Sequence, residues 1–222
     1  MNNEVMVRIE SEKLIAIVRG AKPEQCLSIA HALYDGGIRL MEVTYNQANP
    51  DSWISTAEAI HAIKEEFADK MFVGAGTVTN THLVDLTHAH GGQYIISPDT
   101  NVSVIKKTKE LGMISMPGAM TPSEVITAHN AGADIVKLFP ASDLGPRYLK
   151  AVRAPLNHIK IMAVGGINQK NMPDFLAAGA CGFGVGGNLA NSKWIESGEF
   201  EKITNAAIEI VRTLHEALKE KK

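Results

Sequence analysis

The chain has 222 residues, of which 45% are hydrophobic and 21% charged, an ordinary globular composition with enough apolar content for a sizeable core. Its formal net charge of −2, from 22 basic and 24 acidic side chains, gives no reason to expect nucleic acid or an anionic membrane surface as partner. No apolar run approaches the ~20 residues that a membrane-spanning helix needs.

The opening stretch, MNNEVMVRIESEK, is charged and lacks the apolar core of a signal peptide. From there apolar runs of strand length alternate with amphipathic helical stretches. The runs are residues 13–19 (KLIAIVR), 38–45 (IRLMEVTY), 71–78 (MFVGAGTV) and 94–98 (YIISP), then 113–119 (MISMPGA), 135–141 (IVKLFPA), 160–167 (KIMAVGGI) and 181–189 (CGFGVGGNL). They are continuous rather than alternating in polarity, as expected of parallel strands covered by helices. Helical patterns fall between them at residues 23–34, 53–67, 83–90 and 123–130, several followed by glycine. Thr121-Pro122-Ser123-Glu124 has the form of an N-cap, an N1 proline and an acidic first turn. The tail RTLHEALKEKK has the look of a frayed helix end.

This alternation, without a composition break, predicts one closed parallel (β/α)₈ TIM barrel forming a single domain over residues 1–222. Such barrels typically use ~250 residues, so this one needs short loops. An open doubly wound sheet is the alternative, but IAIVRGAKPEQ lacks the Gly-rich phosphate fingerprint expected after its first strand. Cys26 and Cys181 have no metal-like spacing, which suits reduced thiols in a cytoplasmic protein.

Barrel enzymes carry their chemistry at the C-terminal ends of the strands. The polar residues that interrupt the runs there are Arg19, Glu42 with Thr44, Thr77, Ser97, Lys137, and the pairs Gly165-Gly166 and Gly186-Gly187. Lys137 has apolar neighbours on both sides. It is either a strand-end lysine that reaches to water or an amine whose ammonium is destabilised. Moving a lysine from ~10.4 to ~7 takes roughly 4–5 kcal/mol of differential destabilisation, which a dry barrel interior can supply. The neutral amine can attack a ketone and form an iminium, an electron sink. Glu42, after Leu40-Met41, is either an ion-pair partner inside the barrel or a proton carrier. The glycine pairs end the seventh and eighth strands. They are tight turns or phosphate loops, and barrels frequently bind phosphate at those two strands. Gly74-Ala75-Gly76 marks a close backbone approach rather than a dinucleotide site. His82, His88 and His90 read as a helix surface; Met113, Met116 and Met120 as packing residues; Asp99 and Asp134 carry no partner pattern.

Glu42-Val43-Thr44, Gly74-Ala75-Gly76-Thr77-Val78, Ile96-Ser97-Pro98, Met116-Pro117-Gly118, Lys137-Leu138-Phe139-Pro140 and Val164-Gly165-Gly166-Ile167 occur in that order. Together they resemble the bacterial 2-keto-3-deoxy-6-phosphogluconate (KDPG) / 4-hydroxy-2-oxoglutarate (KHG) aldolase family, over nearly the whole chain. The resemblance implies a class I aldolase with no metal and no cofactor. It would split a 2-keto-3-deoxy-6-phospho sugar acid to pyruvate and glyceraldehyde 3-phosphate, with KHG as a further substrate, and work as a homotrimer. It implies Lys137 as the Schiff-base lysine and Glu42 as general acid/base. The substrate-binding set it implies is Arg19, Asn46, Thr77, Pro98, Phe139, Val164, Gly165, Gly166, Gly187 and Asn188, with Thr77 and Phe139 at the pyruvate end and Gly165, Gly166 and Gly187 at the phosphate. Three positions depart from the gluconate enzymes: Asn46 where arginine is common, Val164 where threonine is common, and Asn188 where serine is common. Arg19, Asn46 and Val164 instead resemble the branch that acts on the galactonate epimer, in which Arg19 would take the substrate carboxylate. A metal-dependent sugar-phosphate epimerase or aldolase would need His, Asp or Glu ligands at several strand ends, and the runs end in one carboxylate and no histidine. A non-catalytic barrel binding a phosphorylated metabolite would keep the glycine pairs and need neither Lys137 nor Glu42.

Overall fold

The computed structural model describes residues 2–220. Helix α1 (Asn2–Glu12) leads into β1 (Leu14–Val18), α2 (Pro23–Asp35), β2 (Leu40–Thr44), a 3-10 turn at Pro50–Ser52, α3 (Trp53–Phe67), β3 (Phe72–Gly76), α4 (Thr81–Ala89) and β4 (Tyr94–Ile96). Then follow α5 (Val102–Glu110), β5 (Ile114–Met116), β6 (Gly118–Ala119), α6 (Pro122–Asn130), β7 (Val136–Leu138) and α7 (Ala141–Arg153). The chain closes with β8 (Ile161–Val164), α8 (Met172–Ala177), β9 (Phe183–Val185), α9 (Ser192–Ser197) and α10 (Phe200–Glu220).

Every strand pairing is parallel, and the order is β5-β4-β3-β2-β1-β9-β8-β7-β6. The two ends of that order, β5 and β6, are one stretch of chain interrupted at Pro117, which has no N–H to give a ladder. The sheet is therefore a ring of eight strands, as the eight apolar runs predict. Hydrogen bonds from Asp134 N to Ser115 O (3.0 Å) and from Lys137 N to Pro117 O (2.8 Å) close the seam.

The apolar runs are continuous because both faces of each strand are buried, yet the alternation survives in where the side chains go. Leu14, Ala16 and Val18 of β1 pack outward with the helices, as do Met41, Val73, Ile95, Val136 and Ile161. Ile15 and Ile17 point into the barrel, where they meet Leu40, Phe72, Tyr94, Ile135 and Met162. Helix α1, absent from the sequence-based expectation, places Val5 and Ile9 in the same inner cluster and closes the N-terminal end of the barrel. Its i, i+4 apolar spacing was present in the sequence. The predicted cap of α6 is in place: Thr121 Oγ1 accepts from Glu124 N, and the Glu124 carboxylate accepts from Thr121 N. The α4 boundary moves two residues earlier than predicted, to Thr81, because Asn80 is the N-cap and accepts from Leu83 N at 3.1 Å.

Three expectations need correction. Met113 and Met116 pack, but Met120 is 48% exposed, since it sits in the loop before α6. The tail is not frayed within the described residues: α10 runs to Glu220 with Leu214 and Ala217 buried, and only residues 221 and 222 lie outside. Asp134 does have partners. Its carboxylate accepts from Lys109 Nζ at 2.7 Å and from Ser115 N at 2.8 Å, so it supplies at the β5–β7 seam the acceptor that the backbone lacks.

That role generates a stability prediction. Asp134→Ala removes an anionic acceptor from a seam N–H and should cost about 2–3 kcal/mol, while Asp134→Asn, which keeps a carbonyl oxygen, should cost less. Urea unfolding midpoints of the two variants check the order; equal midpoints would mean that the contact is dispensable.

Candidate active site

Glu42 and Lys137 are the buried ionisable pair of the barrel interior. They sit on β2 and β7, and on either route round the ring three strands separate them, so they face each other across the barrel. Both are nearly sealed from solvent, at 2% and 6% exposure. No direct ion pair joins them among the described residues, which rules out the tight internal salt bridge as the reason for either one. One Glu42 oxygen, Oε2, has no hydrogen-bond partner. Burial raises the Glu42 carboxyl above its ordinary range, against the opposing pull of Lys137 and then Arg19. Burial likewise pushes the Lys137 amine below its ordinary range; the Glu42 charge counters this and the Arg19 charge adds to it. The Lys137 Nζ stands 4.9 Å from the centroid of the Phe139 ring.

The neighbours of Glu42 show why glycine stands at two places in β3. A Cβ on Gly76 would lie 2.3 Å from Glu42 Oε1, and one on Gly74 would lie 2.3 Å from the Tyr94 ring. The glycines leave the space that the carboxylate and the tyrosine fill. Tyr94 donates its hydroxyl to Met41 O at 2.6 Å, one residue before Glu42. Sequence reasoning passed over Tyr94, although a tyrosine in the YIIS run was a visible signal for a buried hydroxyl in need of an acceptor.

Above this layer, Arg19, Thr44, Asn46 and Thr77 line a cavity of 640 Å³ at the C-terminal ends of β1, β2 and β3. Arg19 is exposed just beyond β1, yet its charge is felt at both Glu42 and Lys137. Asn46 turns its side-chain oxygen to Ala48 N (3.0 Å), so its acceptor is already engaged. Thr77 has φ 57, a left-handed conformation that is a genuine outlier for a β-branched residue. Gln47 holds it there, donating from Nε2 to Thr77 O at 2.8 Å and accepting from Thr79 Oγ1 at 2.9 Å. Gln47 was not singled out in the sequence, because nothing in its spacing reveals a contact made across two loops.

The glycine turns after β8 and β9 come together. Asn188 Nδ2 donates to Ile167 O at 2.9 Å and ties one turn to the other. Gly165 and Gly166 have φ 97 and 70, and a Cβ on Gly166 would lie 2.0 Å from Ser142 Oγ. That pair is thus required by the chain itself. Gly187 differs: its φ is not positive, and nothing lies within 4 Å of an added Cβ. Phe139 is 38% exposed beside Gly165, Val164 is buried in the inner cluster, and the Pro98 carbonyl abuts Gly118. Ser142, at the start of α7, donates its N–H to Gly165 O at 3.0 Å and is a further neighbour of these turns that the sequence did not mark.

With this geometry in place, comparisons with known proteins are specific. Residues 5–206 match the aldolase family described as KDPG and KHG aldolase. The 2-dehydro-3-deoxy-6-phosphogalactonate aldolase of Escherichia coli (strain K12) is 37% identical over 79% of this chain and 83% of its own length. The native KDPGal structure superposes with a TM-score of 0.84 at 34% identity, covering 93% of this chain and 96% of that one. The KDPG aldolase of Legionella pneumophila, solved with pyruvate captured as a covalent carbinolamine intermediate, superposes with a TM-score of 0.81 at 25% identity, covering 91% and 95%.

The depressed Lys137 pKa makes a prediction about stability. At pH below the folded-state value, both folded and unfolded chains carry the ammonium, and the native state bears the full cost of its burial. That cost fades as the pH rises from there towards 10.5. Lys137→Met should therefore raise Tm near neutral pH, by roughly 2–4 °C for each kcal/mol relieved, with the gain shrinking in alkali. Thermal melts of both proteins from about pH 6 to about pH 10 test this; a destabilised variant, or a gain that grows with pH, contradicts it.

Proposed function

Because the chain belongs to the KDPG and KHG aldolase family, we propose that it cleaves 2-keto-3-deoxy-6-phosphogalactonate in preference to the gluconate epimer, through a Schiff base on Lys137. As a member of that family it is a lyase acting on a carbon–carbon bond. The observation that carries the assignment of Lys137 is its burial at 6% exposure without an ion-pair partner among the described residues, which favours the neutral, nucleophilic amine. A non-catalytic binder would have no use for such a costly group.

The amine attacks the C2 ketone to give a carbinolamine, which loses water to an iminium. The C4 hydroxyl then gives up its proton, the C3–C4 bond breaks into the iminium, and glyceraldehyde 3-phosphate leaves. The resulting enamine takes a proton at C3, and hydrolysis frees pyruvate and the lysine. Glu42 is the carrier of these protons. Its raised pKa suits a group that must both give and take. It faces Lys137 from across the barrel, which leaves the space between them for the substrate and a relaying water.

Arg19 is assigned to the substrate carboxylate, since a guanidinium suits bidentate pairing and Asn46 carries no charge. Thr77, Pro98 and Phe139 flank the pyruvate moiety, Val164 and Asn188 border the sugar chain, and Gly165, Gly166 and Gly187 take the phosphate. The galactonate preference rests on Arg19, Asn46 and Val164 together, and on the likeness to the phosphogalactonate aldolase. KHG, cleaved to pyruvate and glyoxylate, is a secondary substrate. We place the protein in the cytoplasm as a homotrimer; the free thiols of Cys26 and Cys181 and the exposed Met120 and Ile126, apolar surface that an assembly would cover, support this. No helix among the described residues is long and apolar enough to cross a membrane. One barrel over residues 1–222 is taken to carry the whole activity.

Borohydride reduction in the presence of pyruvate should leave a covalent adduct on Lys137, located by peptide mapping. Lys137→Arg should give no adduct and lose activity by several orders of magnitude. An adduct elsewhere, or near-native turnover in the variant, refutes the assignment. Side-by-side kcat/KM values should rank the phosphogalactonate above the phosphogluconate and both above KHG.

The glycine turns give a separate prediction. Gly166→Val would strain the backbone and strike Ser142, so its effect would mix folding with binding. Gly187→Val enters open space and should raise KM for phosphorylated substrate about tenfold or more while leaving KM for KHG nearly unchanged. Equal shifts for the two substrates would remove Gly187 from the phosphate site.

A further inference from the structure

The end of the barrel opposite the Lys137 site holds a cavity of 280 Å³. Its apolar wall is Ile9 from α1, Ile15 from β1, Ile135 just before β7 and Met162 from β8. Ile135 and Met162 precede Lys137 and Val164 by two residues on their strands and point the same way, so this wall is the inner layer beneath the candidate active site. At about 30 Å³ per water-sized group, the space holds a ligand of roughly nine non-hydrogen atoms.

The polar end is uneven in charge. Glu10 and Lys160 are paired to each other across it. Lys13, in the single residue between α1 and β1, has no hydrogen bond or ion pair from its side chain among the described residues. The residue is half-buried, and no carboxylate is paired with it among the described residues. Cys181 completes the rim; it is partly exposed and packs against the inner cluster. An apolar sleeve with one uncompensated cation at its mouth matches a short chain carrying one negative charge.

We propose that this cavity binds a small amphipathic monoanion, a short-chain monocarboxylate, with its chain among Ile9, Ile15, Ile135 and Met162 and its carboxylate on Lys13. A longer chain would outgrow the cavity. Among the described residues that line the cavity, Lys13 is the one cation without a carboxylate, because Lys160 is held by Glu10. The site is distinct from the candidate active site, since it opens at the N-terminal ends of the strands and uses none of the residues assigned to pyruvate or phosphate.

Cys181 provides the readout. Cys26, the other thiol, is 1% exposed, so alkylation of the folded full-length protein reports on Cys181 and is followed by mass spectrometry of its peptide. Hexanoate should slow this alkylation saturably and several-fold, and hexan-1-ol at the same concentrations should protect much less. Lys13→Gln should raise the hexanoate concentration for half-protection about tenfold. Burial pushes the Cys181 thiol up to about 11 and the charge of Lys13 opposes this, so each protein is compared with its own ligand-free rate. Pyruvate trapping on Lys137 should proceed with hexanoate bound. Absence of protection by hexanoate, or equal protection by the alcohol, overturns the proposal without recourse to any variant. So does an unchanged half-protection concentration in Lys13→Gln.

Discussion

Desolvation of the Lys137 ammonium is the constraint around which the barrel is arranged. A lysine at the surface would be protonated and inert as a nucleophile at neutral pH. Here the closed ring of strands withholds water, and a carboxylate across the barrel returns only part of the lost stabilisation. The pair is kept apart: contact between them would hold the lysine as an ammonium. Several otherwise odd choices follow. β3 carries glycine where its neighbours carry large side chains, because Glu42 and Tyr94 need the space. Tyr94 fills the layer below and spends its hydroxyl on the backbone of β2, leaving the Glu42 carboxylate with an unpartnered oxygen. These features cost stability and are kept in a structure whose other layers are conventionally apolar.

The barrel was legible because a parallel sheet covered on both faces writes itself as continuous apolar runs, and all eight runs became strands. The helices with strong ends were legible too: α6 has its capping box at Thr121 and Glu124, and the predicted 53–67 helix matches α3 residue for residue. Most of what escaped has no periodic signal. The break at Pro117 was hidden inside an apolar run, and the seam role of Asp134 depends on Ser115, a contact between strands that no local pattern encodes. Helix α1 was masked by its charged residues, among which Val5 and Ile9 are buried and Met6 packs beside them.

At the candidate site, Lys137 and Glu42 stood out because ionisable residues in apolar strands are rare. Their opposition across the ring could not be read locally, since it depends on strand order. The two glycine pairs looked alike in the sequence and differ in space: Gly165 and Gly166 answer to their own backbone angles and to Ser142, and Gly187 answers to nothing inside the chain. Gln47, which holds Thr77 in its left-handed conformation, belongs to a loop whose composition is unremarkable. Candidate residues at strand ends are thus announced by residue type, while those that brace them are announced by nothing but contact.

The interruption at Pro117 also bears on how such a ring can assemble. With both edges of the sheet lying in one continuous stretch of chain, most neighbouring strands are joined by a single helical connection, so their pairing closes only short loops. The exception is the register of Leu14 with Phe183, which joins the first strand to the last. The entropy of loop closure rises slowly with length, but this contact joins residues 169 positions apart in a chain of 222 and sets the topological distance that must be bridged. The barrel therefore has one natural zipper line, between β1 and β9. Chain termini relocated to the β5–β6 break would make that line local and leave Pro117, which never formed a continuous ladder, as the new opening.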